Sequence, residues 1–296
     1  MATAQRPAEA AGTFAFGGEL SVNRLGYGAM RITGPGIWGP PADKAAALAV
    51  LKRALDLGVN LIDTADSYGP NVSEELIAEA LYPYPAGLVI ATKGGLLRPG
   101  PNQWVPDGRP THLREALEGS LRRLKVNQID VYPFHRPDPK VPFEDSVGEI
   151  AKLRDEGKIR FVGLSNVTIE ELARAQKIIP IVSVQNHYNL ARPTSERMDA
   201  AQSEQMIDAC ARQNIGFFPW APVSGGALTQ SGGALDTIAK AHNATPGQIA
   251  LAWLLRRSPT VLPIPGTSSV AHLEENAQAA TITLTDEEFA SIRDAR

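Results

Sequence analysis

The chain has 296 residues, 43% of them hydrophobic and 21% charged, the composition of an ordinary folded domain. With 29 Lys and Arg against 32 Asp and Glu, its net charge is −3, and no basic block offers a nucleic acid a landing site. A single cysteine, Cys210, excludes an internal disulfide, and no apolar run reaches the ~18 residues needed to span a bilayer.

Residues 1–12 lack an apolar signal core and are expected to form a flexible leader ahead of one domain over 13–296, in the cytoplasm. Thr13 to Val22 reads as a hairpin turning at Gly17-Gly18. Eight short apolar runs follow as expected strands: Arg24 to Gly28, Asn60 to Asp63, Leu88 to Thr92, Gln128 to Phe134, Arg160 to Leu164, Ile181 to Gln185, Gly216 to Pro219 and Val261 to Ile264. Helical patterns separate them. Asp43 caps one that carries Leu48, Leu51 and Leu55 on a single face. Asn71-x-x-Glu74, Thr168-x-x-Glu171 and Thr245-Pro246-x-Gln248 have the form of capping boxes. Further helices are expected over Leu113 to Leu124, Phe143 to Glu156, Ser203 to Gln213 and Val270 to Ala279, with a last one opening at Thr285. Long loops lie at Gly94 to Pro110 and Pro222 to Gly233. Eight strand–helix repeats predict an α/β fold, a (β/α)8 barrel with an N-terminal hairpin and an extra C-terminal helix.

In such a barrel, chemistry sits where strands end and loops begin. That places Asp63, Tyr68, Lys93 and His135 at one mouth. Taken singly, Lys93 reads as a rim lysine, Asp63 as a cap and His135 as a structural hydrogen-bonding residue. Together they describe acid–base chemistry. Asp63 keeps a desolvated Lys93 protonated, and Lys93 is expected to draw the Tyr68 phenol down toward neutrality. His135 would orient a carbonyl oxygen or help relay the proton. Two other assignments compete. One is a metal-dependent hydrolase using Asp63, His135 and His187, although the five histidines show no close ligand spacing. The other is a non-catalytic barrel that binds a ligand at this mouth and regulates a partner.

Asp63 to Gly69 forms a DxxxxYG element; Ser120 to Leu124 and Ile129 to Asp138 form an SLxxL…IDxYxxHxPD element. Gly163-Leu164-Ser165-Asn166 and Ile264-Pro265-Gly266…Glu275-Asn276 follow in order. With these motifs the chain resembles the aldo-keto reductase superfamily, from about Gly17 to the C-terminal helix. The resemblance implies a catalytic tetrad of Asp63, Tyr68, Lys93 and His135. It implies a nicotinamide cofactor held by Asp63, Ser165, Asn166 and Gln185, with Trp220 stacked on the ring and Gly28, Ala29 and Met30 beneath. Ala221, Pro222, Val223 and Gly225 would meet the pyrophosphate, and Gly266, Thr267, His272, Glu275 and Asn276 the adenosine end. Gly266 and His272 stand where many members carry Lys and Arg. NADPH is the expected cofactor and NADH the alternative.

Trp38, Tyr68, Trp104, His135 and His187 are the expected substrate wall, with no metal. The segments Leu25 to Met30, Gly34 to Pro41 and Ile264 to Leu273 resemble a bacterial branch that includes pyridoxal reductases. This implies reduction of pyridoxal to pyridoxine, with a generic aldehyde reductase as the alternative. A small aldehyde or ketone is the expected partner, without nucleic acid or membrane, and a monomer the expected state.

Overall fold

The computed structural model describes residues 6–191, 197–223 and 234–294. A hairpin of β1 (Thr13–Phe16) and β2 (Leu20–Asn23) comes first, turning through Gly17 and Gly18 at φ +60° and +78°. Such positive φ is what Gly-Gly supplies in a tight hairpin turn. The alternating core then runs β3 (Tyr27–Gly28), α1 (Lys44–Asp56), β4 (Leu61–Asp63), α2 (Val72–Leu81) and β5 (Val89–Ala91). The first long loop carries a small antiparallel pair, β6 (Leu96–Leu97) and β7 (Val105–Pro106). After it come α3 (Pro110–Leu124), β8 (Ile129–Phe134), α4 (Phe143–Asp155), β9 (Ile159–Ser165), α5 (Ile169–Ala175) and β10 (Ile181–His187). The chain ends through α6 (Ala200–Arg212), β11 (Gly216–Trp220), α7 (Ala234–Ala241), α8 (Pro246–Arg257), α9 (Val270–Gln278) and α10 (Asp286–Asp294).

Among the described residues, seven strands pair in parallel in the order β11-β10-β9-β8-β5-β4-β3. The expected eighth strand, Val261 to Ile264, is not a regular strand. Pro263 and Pro265 have no N–H to give a ladder. Their carbonyls still accept from Gly26 N (3.0 Å) and Gly28 N (3.4 Å), and Leu262 N donates to Phe217 O (2.8 Å). The segment therefore bonds to both edges of the curled sheet and closes it into a barrel of the (β/α)8 kind.

One end of the barrel is plugged. Phe14, Phe16 and Val22 of the hairpin are buried with Leu61, Val89 and Phe218, which leaves the strands' C-terminal ends as the open mouth. The larger core lies between sheet and helices. Several capping devices form as their spacing predicts: Asp43 accepts from Ala46 N, and Thr168 and Thr245 close reciprocal boxes with Glu171 and Gln248.

Other expectations need correction. Residues 7–11, inside the expected leader, form a 3-10 turn with Ala8 and Ala11 buried, because Ala8 N donates to Leu57 O (3.0 Å) and the small side chains fit against the barrel. Asn71 adopts φ +71° and its side chain caps nothing. Glu74 turns inward instead, fully buried, with Thr92 Oγ1 at 2.5 Å and Arg123 Nε at 2.6 Å. The helix α7 was not expected. Gly225 and most of the second long loop lie outside the described residues. No described helix is long and apolar enough to cross a membrane.

Candidate active site

Three strand ends bring the four catalytic candidates together. Asp63 closes β4, and Tyr68 lies on the loop after it. Lys93 follows β5 and His135 follows β8. Thr64 N donates to Ala91 O (2.8 Å) and Asp66 N to Lys93 O (3.2 Å), so the two loops extend the sheet's register beyond its edge. All four side chains are buried, Lys93 completely.

Lys93 Nζ donates to Asp63 Oδ2 (2.7 Å), to Thr64 O (2.8 Å) and to Tyr68 Oη (3.4 Å). Burial works against the ammonium, but the Asp63 carboxylate and the Tyr68 oxygen outweigh it and hold Lys93 above its ordinary range. Lys93 is therefore a cation at neutral pH. Asp63 Oδ1 accepts from Gln185 Nε2 (2.8 Å), so both carboxylate oxygens are engaged. Among the described residues, no group of three or more His, Cys, Asp and Glu gathers as a metal site.

Tyr68 does not behave as its neighbour suggests. Burial is the largest influence and pushes the phenol above its ordinary value, Lys93 opposes it, and Asp63 adds to the rise. The expected fall toward neutrality is thus not what this arrangement yields, because removing a phenolate from water outweighs one paired cation. His135 moves the other way. Burial first, then Lys93, Arg136 and Arg98, hold it well below its ordinary range, so the imidazole is neutral. Its ring lies edge-on to Tyr68, with centroids 5.9 Å apart, and Ser67 Oγ is 3.4 Å from Nδ1.

A second group lies on the neighbouring strand ends. Ser165 and Gln185 are paired across β9 and β10. Asn166, at φ +58°, donates from Nδ2 to Ser165 Oγ and His135 O, both 3.0 Å. Trp220 Nε1 donates to Asn166 Oδ1 (3.2 Å), and His187 stands against the Trp220 ring at 4.5 Å between centroids. Ala221, Pro222 and Val223 continue directly from this tryptophan. A cavity of about 420 Å³ opens beside Asn166 and Trp220, with Arg136, Phe143 and Glu171 among its walls.

The remaining candidates lie around the closing segment. Gly28 and Gly266 nearly touch, and a Cβ on Gly266 would lie 2.6 Å from Gly28 O. Ala29 and Met30 start the 3-10 turn Ala29–Ile32, and Tyr27 Oη donates to Thr267 O (2.6 Å). His272, Glu275 and Asn276 sit on α9. Glu275 is partly committed to the fold: Thr245 Oγ1 donates to its carboxylate at 2.6 Å. The donor set suits the implied cofactor. Two amides and a hydroxyl on adjacent strand ends match a carboxamide, which both donates and accepts.

Trp104 meets Tyr68 edge-on at 6.2 Å, and Trp38 is bridged to Gly69 just after it. Between these indoles lies Arg98, which no sequence pattern singled out. Glu74 was noticed only as a cap. A glutamate placed to follow a buried strand end in space carries no local signal for burial.

The Aldo/keto reductase family model matches residues 24–296. An uncharacterized oxidoreductase of Schizosaccharomyces pombe is 52% identical over 93% of this chain and 87% of its own length. Pyridoxine 4-dehydrogenase of Escherichia coli is 45% identical over 93% of this chain and 95% of its own. A crystal structure of an aldo-keto reductase from Klebsiella pneumoniae in complex with NADPH matches with TM-score 0.77 and 26% identity, over 95% of this chain and 94% of that one. The chain belongs to the aldo/keto reductase family and is an NAD(P)-dependent oxidoreductase acting on small carbonyl compounds.

Proposed function

We propose that the protein reduces aldehydes with NADPH and that pyridoxal, giving pyridoxine, is its leading substrate. The observation that carries the reading is the buried Asp63–Lys93–Tyr68 group at the barrel mouth. When bound, the nicotinamide supplies a hydride to the carbonyl carbon. Ser165, Asn166, Gln185 and Trp220 would hold that end of the cofactor. Gly28, Ala29, Met30, Ala221, Pro222 and Val223 would lie along its middle. Gly266, Thr267, His272, Glu275 and Asn276 would hold the adenosine.

Tyr68 gives its hydroxyl proton to the carbonyl oxygen. A phenol held above its ordinary value stays protonated at neutral pH, which is the state a general acid for reduction needs. Lys93 faces the Tyr68 oxygen with its charge secured by Asp63, so the negative charge left after proton transfer forms against an ammonium already in place. The neutral His135 still carries one ring N–H, the donor with which it would orient the carbonyl oxygen. Trp38, Trp104 and His187 favour a flat ring as substrate. The high identity to a pyridoxine 4-dehydrogenase supports pyridoxal over other flat aldehydes.

The test is NADPH oxidation by the purified protein with a panel of aldehydes that includes pyridoxal. The expected result is kcat/KM highest for pyridoxal. Comparable turnover of simple aromatic and aliphatic aldehydes, with pyridoxal no better, would replace it by a generic aldehyde reductase. NADPH binding without turnover of any aldehyde would replace catalysis by a regulatory role. The working state proposed is a cytoplasmic monomer, which gel filtration with light scattering checks for assembly.

A further inference from the structure

Arg98 follows β6 in the long loop and is only 9% exposed. Among the described residues its hydrogen-bond partners are backbone carbonyls, not carboxylates. Burying a cation away from a counter-charge is unfavourable unless fixed dipoles replace the lost water. Here they do. Nη1 donates to Ser67 O at 2.8 Å, Nη2 to Gly36 O at 2.9 Å and Nε to Gln103 O at 2.7 Å. The guanidinium carbon also lies 3.6 Å from the centroid of the Trp104 ring and 5.9 Å from that of Trp38.

The three carbonyls share a property. Each belongs to the residue just ahead of Tyr68 or of a side chain packed against it. Ser67 precedes Tyr68 itself. Gly36 precedes Ile37, which is buried in one cluster with Tyr68 and whose carbonyl accepts from Gly69 N at 3.3 Å. Gln103 precedes Trp104, whose ring stands perpendicular to that of Tyr68, with an interplanar angle of 84°. Three separate stretches of chain thus reach Tyr68 by three routes, and one planar fork joins them.

We infer that Arg98 is the positioning residue for Tyr68, clasping three loops so that the phenol stays at the Lys93 ammonium and in line for proton transfer. A guanidinium presents its donors in fixed directions and stacks on indole, whereas a lysine is a point charge on a flexible stem. A looser clasp lets the phenol drift, and proton transfer is sensitive to such drift. The inference goes beyond the choice of substrate: it requires only that Tyr68 is the acid.

The test compares R98M and R98K with the wild type, using pyridoxal and benzaldehyde. Displacing a reacting group by about 1 Å lowers turnover by about 10²-fold, so R98M is expected to lose kcat on that scale with KM changed far less. R98K keeps the charge without the fork and is expected to recover part of the loss. The solvent deuterium isotope effect on kcat rises in both variants as proton transfer becomes slower. An ultraviolet difference titration of each protein against its Tyr68→Phe counterpart follows the phenol without turnover, and the Tyr68 titration shifts when Arg98 is replaced. R98M turnover within threefold of wild type, with an unmoved Tyr68 titration, overturns the inference. So does a loss of activity with isotope effect and titration both unchanged, which marks a smaller folded fraction and no repositioning. If R98M does not fold, the same two readouts on R98K decide. A wild type inactive on every aldehyde removes the proposed function, and the titration still judges the clasp.

Discussion

Lys93 and Asp63 form an ion pair of 2.7 Å whose side chains are 0% and 3% exposed. Breaking such a pair by removing one partner leaves a charge buried without compensation, at a loss of about 3–5 kcal/mol. Asp63→Ala is therefore expected to lower stability on that scale and, because Lys93 then loses its cationic state, to abolish reduction. Lys93→Met removes the charge facing Tyr68 and is expected to nearly abolish activity too. Thermal melting and single-turnover reduction check both. An active Lys93→Met variant would remove the ammonium from the chemistry.

Tyr68→Phe tests the acid directly. The ring packs against Ile37, Ala65 and Trp104, and those contacts survive the loss of one oxygen. The fold and NADPH affinity are expected to persist while kcat falls by two or more orders of magnitude, the ~10²–10⁴-fold range of a general acid. Cofactor titration by fluorescence beside steady-state rates separates the two effects. Unchanged turnover would assign the proton to another donor.

The pH profile follows from the same burial. In the free enzyme, Tyr68 lies above its ordinary range and His135 well below. Neither group changes charge across the neutral region. The kcat/KM for reduction, which reports the free enzyme, is expected to stay flat there and to fall only as rising pH strips the proton from Tyr68. The reverse oxidation, which needs the phenolate as base, is expected to rise over the same alkaline range. A reduction profile falling through neutrality would mean a phenol brought far lower than this arrangement gives.

Much of the barrel was legible because its signals are periodic and local. Seven strands, the Gly17-Gly18 turn and the Asp43, Thr168 and Thr245 caps need only neighbouring residues to be recognised. Val261 to Ile264 was misread as a regular strand because its apolar pattern hides Pro263 and runs into Pro265, two prolines that serve only as acceptors. Glu74 and Arg98 escaped for another reason. Thr92 and Arg123 meet Glu74 from 18 and 49 residues away, and the carbonyls of Ser67 and Gly36 meet Arg98 from 31 and 62. Such partners are set by closure of the barrel and leave no local spacing to read. The convergence of Asp63, Tyr68, Lys93 and His135 was readable from their places at strand ends; the direction of the Tyr68 shift was not, since it depends on how completely the phenol is buried.

Asp66 gives the fold a pH dependence of its own. Burial, with Glu74 adding to it, pushes this carboxyl up to about 8, and its Oδ1 has no hydrogen-bond partner. Between the ordinary aspartate value and about 8, the folded state holds a proton that the unfolded chain has released. Stability therefore falls as pH rises through that window and levels off above it. Asp66→Asn removes this slope. Its melting temperature relative to wild type is expected to grow more favourable from mildly acidic pH to about 8, the folded-state value. A difference independent of pH would place the charge elsewhere.

Gly266→Ala probes the close approach at the closing segment. Gly266 N and Cα lie against Gly28, and an added Cβ would stand 2.6 Å from Gly28 O, a backbone atom that no rotamer change can move. Real contacts of that kind do not persist, so β3 and the closing segment would have to separate. The hydrogen bonds Gly28 N→Pro265 O (3.4 Å) and Tyr27 Oη→Thr267 O (2.6 Å) sit on either side of that contact and would be strained together. The same glycines are proposed to border the cofactor. Gly266→Ala is thus expected to lower the melting temperature by several degrees and to weaken NADPH binding about tenfold or more, that is, by about 1.4 kcal/mol. Gly18→Ala, at a hairpin position with no atom within 4 Å of the added carbon, is the control for a glycine replaced at the barrel's closed end. Its positive φ of +78° makes it unfavourable for stability, yet NADPH affinity is expected to stay as in wild type. Equal losses of affinity in both variants would trace the effect to folding and separate Gly266 from the cofactor.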